Sequence, residues 1–252
     1  MSSISKSFDD GQLRLYWTGG AGFLMTCDSL RIGIDIYLSD ACHRPGTDDF
    51  KRLTLPPCKA EDMKLDYLIC THEHGDHFDE ISIPQMQKYN SKMKIICPSS
   101  VTALAEKMGL DSSRFIVLNR GMYFQEKLFS LLAVTADHGP EMADCIGVIV
   151  SIKNKNILFA GDGTYHDNYQ ELTLGHTGFD VLVVAINGQY GNPDAEQAAS
   201  IASMLKPKVV IPCHYWLFKE HGGDPMAFVQ ACLSRIPPLT PKVLAVGEEY
   251  LV

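Results

Sequence analysis

Thr71-His-Glu-His-Gly-Asp-His-Phe-Asp79 follows directly on the apolar run Asp66-Tyr-Leu-Ile-Cys70, and this junction decides how the chain is read. Imidazole and carboxylate are the preferred ligands of zinc, manganese and iron. Residues 66–70 have the length and composition of a short buried strand. Where the chain stays extended beyond it, positions two apart point the same way, so His72 and His74 can share one cation. Gly75 lets the backbone turn sharply, after which Asp76 and His77 face a second cation. A turn that merely capped the following helix would need one oxygen and not this set. The spacing predicts a nest for two metals.

Three positions far along the chain share the address of that nest. His138 follows the strand ending Val-Thr-Ala136, Asp162 follows Ile-Leu-Phe-Ala-Gly161, and His214 follows Val-Val-Ile-Pro-Cys213. Each stands where a buried strand runs out, the rim at which ligands gather in layered α/β proteins. Taken singly, a histidine in a turn is usually only that, and Asp162-Gly163 is a good hairpin dipeptide. Taken jointly with the nest they read as ligands: His72, His74 and His138 for one cation, Asp76, His77 and His214 for the other, with Asp162 bridging. The remaining histidines, His43, His166, His176 and His221, are assigned to the surface or the substrate side. Asp35 closes an apolar strand, either to orient a ligand histidine or simply to end the strand with a turn.

Outward from these residues, 12–35 read as a strand meander with a glycine-rich turn at Gly19-Gly-Ala-Gly22. Those glycines precede another strand rather than a helix, which removes the physical basis for a nucleotide loop. Residues 36–65 carry Pro45, Gly46, Pro56 and Pro57 without a clear period and read as a long loop, either a substrate lid or rim or a plain surface excursion. Helices are expected over 83–89, 101–108, 194–205 and 225–234. Strands are expected at 93–97, 115–118, 122–125, 128–136, 145–152, 156–160, 181–186 and 209–213, with a last one near 243–246. No repeat or linker marks a boundary, so 1–252 is read as one domain.

With 252 residues, 46% of them hydrophobic, the chain can bury a real core. Its net charge of -8 argues against holding nucleic acid by nonspecific phosphate attraction and favours a small soluble substrate. The start has no signal-peptide core and no run reaches membrane-spanning length, which predicts a cytoplasmic protein without a membrane partner. A homo-oligomer is compatible with the sequence. Eight scattered cysteines without a Cys-x-x-Cys pair look like buried free thiols. Cys213, beside His214, is read as packing rather than as a nucleophile.

The motif His-x-His-x-Asp-His at 72–77, followed by a distant His138, Asp162 and His214, resembles that of the metallo-β-lactamase superfamily of hydrolases over nearly the whole chain. The resemblance implies an α/β fold, a four-layered αβ/βα sandwich of two mixed β-sheets flanked by helices, with two metals at the sheet edges. Within it the chain is similar to the L-ascorbate-6-phosphate lactonase group in Arg52-Leu-Thr-Leu-Pro-Pro57, in Gly161-Asp-Gly-Thr-Tyr-His-Asp-Asn-Tyr169 and in Lys208-Val-Val-Ile-Pro-Cys-His-Tyr-Trp216. It is shorter than that group. His138 favours a full two-metal site here.

Two divalent cations that share a water lower its pKa from about 15.7 toward about 7, which gives a bridging hydroxide as the expected nucleophile. The expected substrate is a small anionic ester or lactone, of the sugar-lactone phosphate type, with Asp76 as ligand and base. Arg52, Tyr165 and Asn187 are candidates for contacting an anionic group of the substrate. Histidine-rich ligation suits zinc, the lactonase resemblance points to manganese, and the bridging carboxylate tolerates either or iron. The alternatives are a phosphodiesterase or nuclease of the same superfamily and a non-catalytic metal-dependent binding protein. A diiron oxygen reductase would want a carboxylate where His74 stands.

Overall fold

A computed structural model describes residues 10–252; the chain's start, on which the signal-peptide reading rests, lies mostly outside the described residues. The apolar runs pair into two mixed sheets, each contained in one of two compact units. The first unit runs to Val117 and includes Leu217–Lys219 and Leu244–Val252; the second comprises Leu118–Trp216 and Glu220–Val243.

The first unit holds β1 (Leu13–Gly19), β2 (Gly22–Cys27), β3 (Leu30–Ile34), β4 (Tyr67–Ile69), β5 (Lys94–Cys97), β6 (Phe115–Val117) and β13 (Glu249–Leu251), in the sheet order β13-β1-β2-β3-β4-β5-β6. The expected meander pairs antiparallel, whereas β3 to β6 pair in parallel. Parallel neighbours need crossovers, and α1 (Ser82–Tyr89) and α2 (Ser99–Lys107) supply them on either side of β5. Leu68, Ile95, Phe78, Ile83 and Met86 are fully buried in the resulting core. The stretch expected as a loop over 36–65 contains a short 3-10 turn, Ala60–Asp62, and an isolated antiparallel bridge from Arg52 to Phe218. It is held down where Tyr37 and Phe50 both meet Phe218 edge-on, at 5.7 Å between ring centres in each case.

The second unit holds β7 (Tyr123–Gln125), β8 (Phe129–Thr135), β9 (Ile146–Ile152), β10 (Lys155–Phe159), β11 (Val181–Ala185) and β12 (Val209–Cys213), in the order β12-β11-β10-β9-β8-β7. β7 to β10 pair antiparallel and β10 to β12 in parallel. The sequence marks this change: β8 alternates in burial, as a half-exposed antiparallel strand does, while β11 is buried throughout. The helices are α3 (Tyr169–Leu172), α4 (Ala195–Leu205) and α5 (Pro225–Leu233). α4 starts with a capping box, in which Asp194 accepts from the Gln197 N–H at 2.9 Å and the Gln197 side chain accepts from the Asp194 N–H at 3.0 Å. Asp224 caps α5 through the N–H groups of Met226 and Ala227.

The α/β class and the two mixed sheets flanked by helices agree with the sequence. The strand expected at 243–246 does not form. The chain bridges to Val210 at Pro241 and then leaves the second unit at Val243, so that run cannot pair along its length. The pairing falls instead to Glu249–Leu251 against β1. Among the described residues no helix is long and apolar enough to cross a membrane.

Candidate functional site

β4 ends at Ile69, and the histidine motif is wound into a turn just beyond it. A buried carboxylate organises that turn. Asp35 accepts from the Thr71 N–H at 2.8 Å and the Thr71 hydroxyl at 2.8 Å, and it lies 2.9 Å from Nδ1 of His77. Asp35 ends its strand at φ 45°, in the left-handed region, so the two readings of this residue both hold: it turns the chain and it orients a histidine. The Thr71 hydroxyl, having given its proton to Asp35, is an acceptor 3.1 Å from Nδ1 of His72. Both imidazoles thereby carry their proton on Nδ1 and their lone pair on Nε2.

Those lone pairs are aimed inward. His72 Nε2 lies 2.9 Å from His74 Nδ1, close to the spacing of about 3 Å that two nitrogens adopt on one cation at bond lengths of about 2.0–2.1 Å. His77 Nε2 lies 3.8 Å from Asp76 Oδ2. His72 and His77 are fully buried, their ring centres 4.1 Å apart. Within the first unit the residues thus sort into the two pairs expected from their spacing, one on each side of Gly75.

Asp79, the last residue of the motif, has a different task. Its carboxylate accepts from the N–H groups of Leu38 and Ser39, from the Ser39 hydroxyl, and from Ile81 and Ser82 at the start of α1. It ties the segment after Asp35 to the far end of the nest. Cys42 lies against Gly75, its Sγ 3.0 Å from where a Cβ would sit. Burial, with Asp76 nearby, pushes its thiol up to about 12.

In the second unit His138, Asp162 and His214 lie within three residues of the ends of β8, β10 and β12. Asp162 Oδ2 stands 3.2 Å from His214 Nε2 and 4.0 Å from His138 Nε2, so these three converge. Gly161 and Gly163 make the approach possible. A Cβ on Gly161 would meet the Ile146 carbonyl oxygen at 2.6 Å, and one on Gly163 would meet the Asp137 nitrogen at 2.8 Å. Asp162-Gly163 is therefore no hairpin turn; the chain runs on to a strand parallel to β10. His214 adopts φ 59°, a conformation uncommon for a non-glycine residue.

Sequence reasoning missed Asn192. Its Nδ2 donates to Asp162 Oδ2 at 2.7 Å and its Oδ1 accepts from the Gly163 N–H at 2.9 Å, which fixes the carboxylate's rotation. Nothing in Gly191-Asn192-Pro193 separates this from an ordinary turn asparagine. His221 is not at the surface: it is 4% exposed and packs on His214 at 4.5 Å between ring centres. His166 pairs with Asp137 at 2.9 Å in a half-exposed position. Asn187 is buried, its Nδ2 3.4 Å from the Gln189 carbonyl and its Oδ1 without a hydrogen-bond partner. Tyr165 is half-buried and bonds Asp167; burial, then that bond, push its phenol up. Arg52 lies in the first unit on the loop beside Tyr37.

A family profile described as the Beta-lactamase superfamily domain matches residues 36–215, a span that takes in every candidate ligand in both units. The chain belongs to that superfamily, the metallo-β-lactamase fold of metal-dependent hydrolases. Among its relatives, the UPF0173 metal-dependent hydrolase of Listeria welshimeri is 31% identical over 203 residues, 75% of this chain and 83% of that protein. The UPF0173 metal-dependent hydrolase of Hyperthermus butylicus is 29% identical over 216 residues, 83% and 86% of the two chains. A solved structure described as a novel metallo hydrolase from Ignicoccus hospitalis shares the fold at a TM-score of 0.76 with 21% identity, covering 96% of this chain and 98% of that one.

Proposed function

We propose that this chain hydrolyses a small anionic ester or lactone, of the sugar-lactone phosphate type, at a centre of two divalent cations. His72, His74 and His138 would hold one cation, Asp76, His77 and His214 the other, and Asp162 would bridge. Zinc and manganese fit this nitrogen and oxygen donor set, and iron is compatible with it. The observation that carries the reading is the fixing of the tautomers. Asp35 and Thr71 hold protons on Nδ1 of His77 and His72, which turns the Nε2 lone pairs toward other donors. His72 Nε2 lies 2.9 Å from His74 Nδ1 and His77 Nε2 3.8 Å from Asp76 Oδ2, spacings that suit donors sharing a cation. In the second unit Asp162 Oδ2 lies 3.2 Å from His214 Nε2 and 4.0 Å from His138 Nε2, which gathers three further donors.

When bound, the cations supply Lewis-acid polarisation and acidify water into the neutral range. The chain's own residues do the rest. Asp76, beside His77, takes the proton from the attacking water and returns it to the leaving oxygen. Asn187 and Tyr165 in the second unit and Arg52 in the first are the candidate contacts for an anionic group of the substrate. We place the protein in the cytoplasm, a reading supported by its cysteines, which are all free thiols and mostly buried.

The test is a screen of metal-loaded protein against sugar lactones, phosphorylated lactones, thioesters and bis-p-nitrophenyl phosphate, with chelator controls. Chelator-sensitive turnover of a lactone or ester is the expected result. Turnover of the phosphodiester alone would move the assignment to a nuclease-like hydrolase, and binding without turnover to a metal-dependent binding protein. Asp76→Ala should cost about 10²–10⁴-fold in kcat; a rate near wild type would remove Asp76 as the base.

A further inference from the structure

His214 carries backbone strain into the ligand cluster of the second unit. It stands at φ 59°, and a conformation of that kind in a non-glycine residue persists only where the surroundings over-determine it. A second imidazole packs on its own. The His221 ring lies 4.5 Å away between centres and 31° from parallel, and both side chains are buried. Tyr190 meets His221 edge-on in turn, at 6.2 Å between centres and 66° between planes, within the range of about 4.5–7 Å in which aromatic pairs attract. Ligand, buried histidine and exposed tyrosine thus touch in succession.

The backbone that carries His221 is fitted to the ends of β11 and β12. A Cβ on Gly222 would meet the Asn187 carbonyl oxygen at 2.9 Å. One on Gly223, at φ +89°, would meet the Tyr215 Cβ at 2.7 Å and the Ile186 carbonyl oxygen at 3.0 Å. Glycine permits that approach, and the approach sets how far His221 stands from His214. The loop after β11 holds the other end. The Gly188 N–H donates to the Pro193 carbonyl at 3.1 Å and the Asn192 N–H to the Gln189 carbonyl at 3.0 Å, which closes the loop around Tyr190, itself at φ 55°. Asn192 of the same loop donates to Asp162 at 2.7 Å. One loop therefore reaches Asp162 directly and His214 through His221.

We propose that His221 is a positioning residue for the metal ligand His214. In contact with both His214 and Tyr190, it fixes the plane of that imidazole, as Thr71 and Asp35 fix His72 and His77 through Nδ1. The brace acts through ring contact, so another aromatic ring at 221 serves in its place. Its value for holding a cation rests on the proposed metal centre; the bracing of the ring does not.

Nitrogen-proton spectra of the histidine rings in the metal-free, full-length protein read the brace itself. His214 should give one sharp set of signals in wild type and in His221→Phe, and broadened or split signals in His221→Ala. Tyr190→Ala, a change at an exposed residue, should broaden them too, and it keeps the test open if His221→Ala does not fold. His214 signals as sharp in the folded alanine variants as in wild type overturn the proposal, whether or not the protein binds metal. Cobalt(II) titration followed by visible absorption reads the consequence. One of two ions should bind about tenfold or more weakly in His221→Ala and the other as in wild type, with partial recovery in His221→Phe. Weakening of both ions alike, or of neither, overturns the role at the centre. Wild-type protein that takes up no cobalt sinks the metal centre instead, and the ring spectra still decide the brace.

Discussion

Asp35 joins two requirements that a metal nest has to meet, a sharp exit from its strand and a fixed imidazole. Its left-handed backbone turns the chain while its carboxylate reaches Thr71 and His77. Hydrogen-bond partners of this kind typically set metal affinity within a factor of about 10–100. Asp35→Asn should therefore weaken zinc or manganese binding by about that factor in a chelator competition assay while the circular dichroism stays native; unchanged affinity would show that His77 needs no such partner. The phenols of Tyr37 and Tyr16 give a second prediction at this scale. Burial, and for Tyr16 then its bond to Glu249, push both above their ordinary range. A group whose pKa is raised on folding gives stability that is fully present below its unfolded value, about 10, and that is lost as pH rises past it. Urea midpoints should hold steady up to that pH and fall beyond it, and Tyr37→Phe should flatten the fall. A midpoint independent of pH in that range would contradict the assignment.

Strands and their ends explain why His138, Asp162 and His214 converge. β8, β10 and β12 stop close before His138, Asp162 and His214, and glycine lets the last turns approach. Gly163→Ala, whose Cβ would come within 2.8 Å of a backbone nitrogen, should destabilise the protein by about 1–3 kcal/mol in urea unfolding and weaken metal binding at the same time. A variant as stable as wild type would mean that the two loops have slack. This level was largely legible in the sequence, because buried strands read as apolar runs and the polar residue that ends each is conspicuous. α4 and α5 fall within the helices expected over 194–205 and 225–234, and the structure shows Asp194 and Asp224 capping them. What escaped was pairing decided far along the chain: Glu249–Leu251 carries no strand signal of its own and pairs because β1 is there to receive it. Asn192 escaped likewise, since its value lies in a contact with Asp162 that no local pattern encodes.

At the scale of the whole molecule, each unit carries one mixed sheet, and of the seven proposed ligands four lie in the first unit and three in the second. The family profile runs through both halves without a break. We read them as one domain, so heat should unfold the chain in a single transition with the same midpoint by calorimetry and by circular dichroism; two resolved transitions would separate the units. A ligand present at 100 times its dissociation constant stabilises the folded state by about 2.7 kcal/mol. Adding a strong chelator should therefore lower Tm by several degrees. The central claim, that the residues of 72–77 together with His138, Asp162 and His214 hold a pair of cations, is tested most directly by elemental analysis of the purified chain after loading with zinc or manganese and removal of the excess. The account predicts about two divalent ions per chain, falling in His77→Ala and Asp162→Ala. A folded wild-type protein that retains none would contradict it.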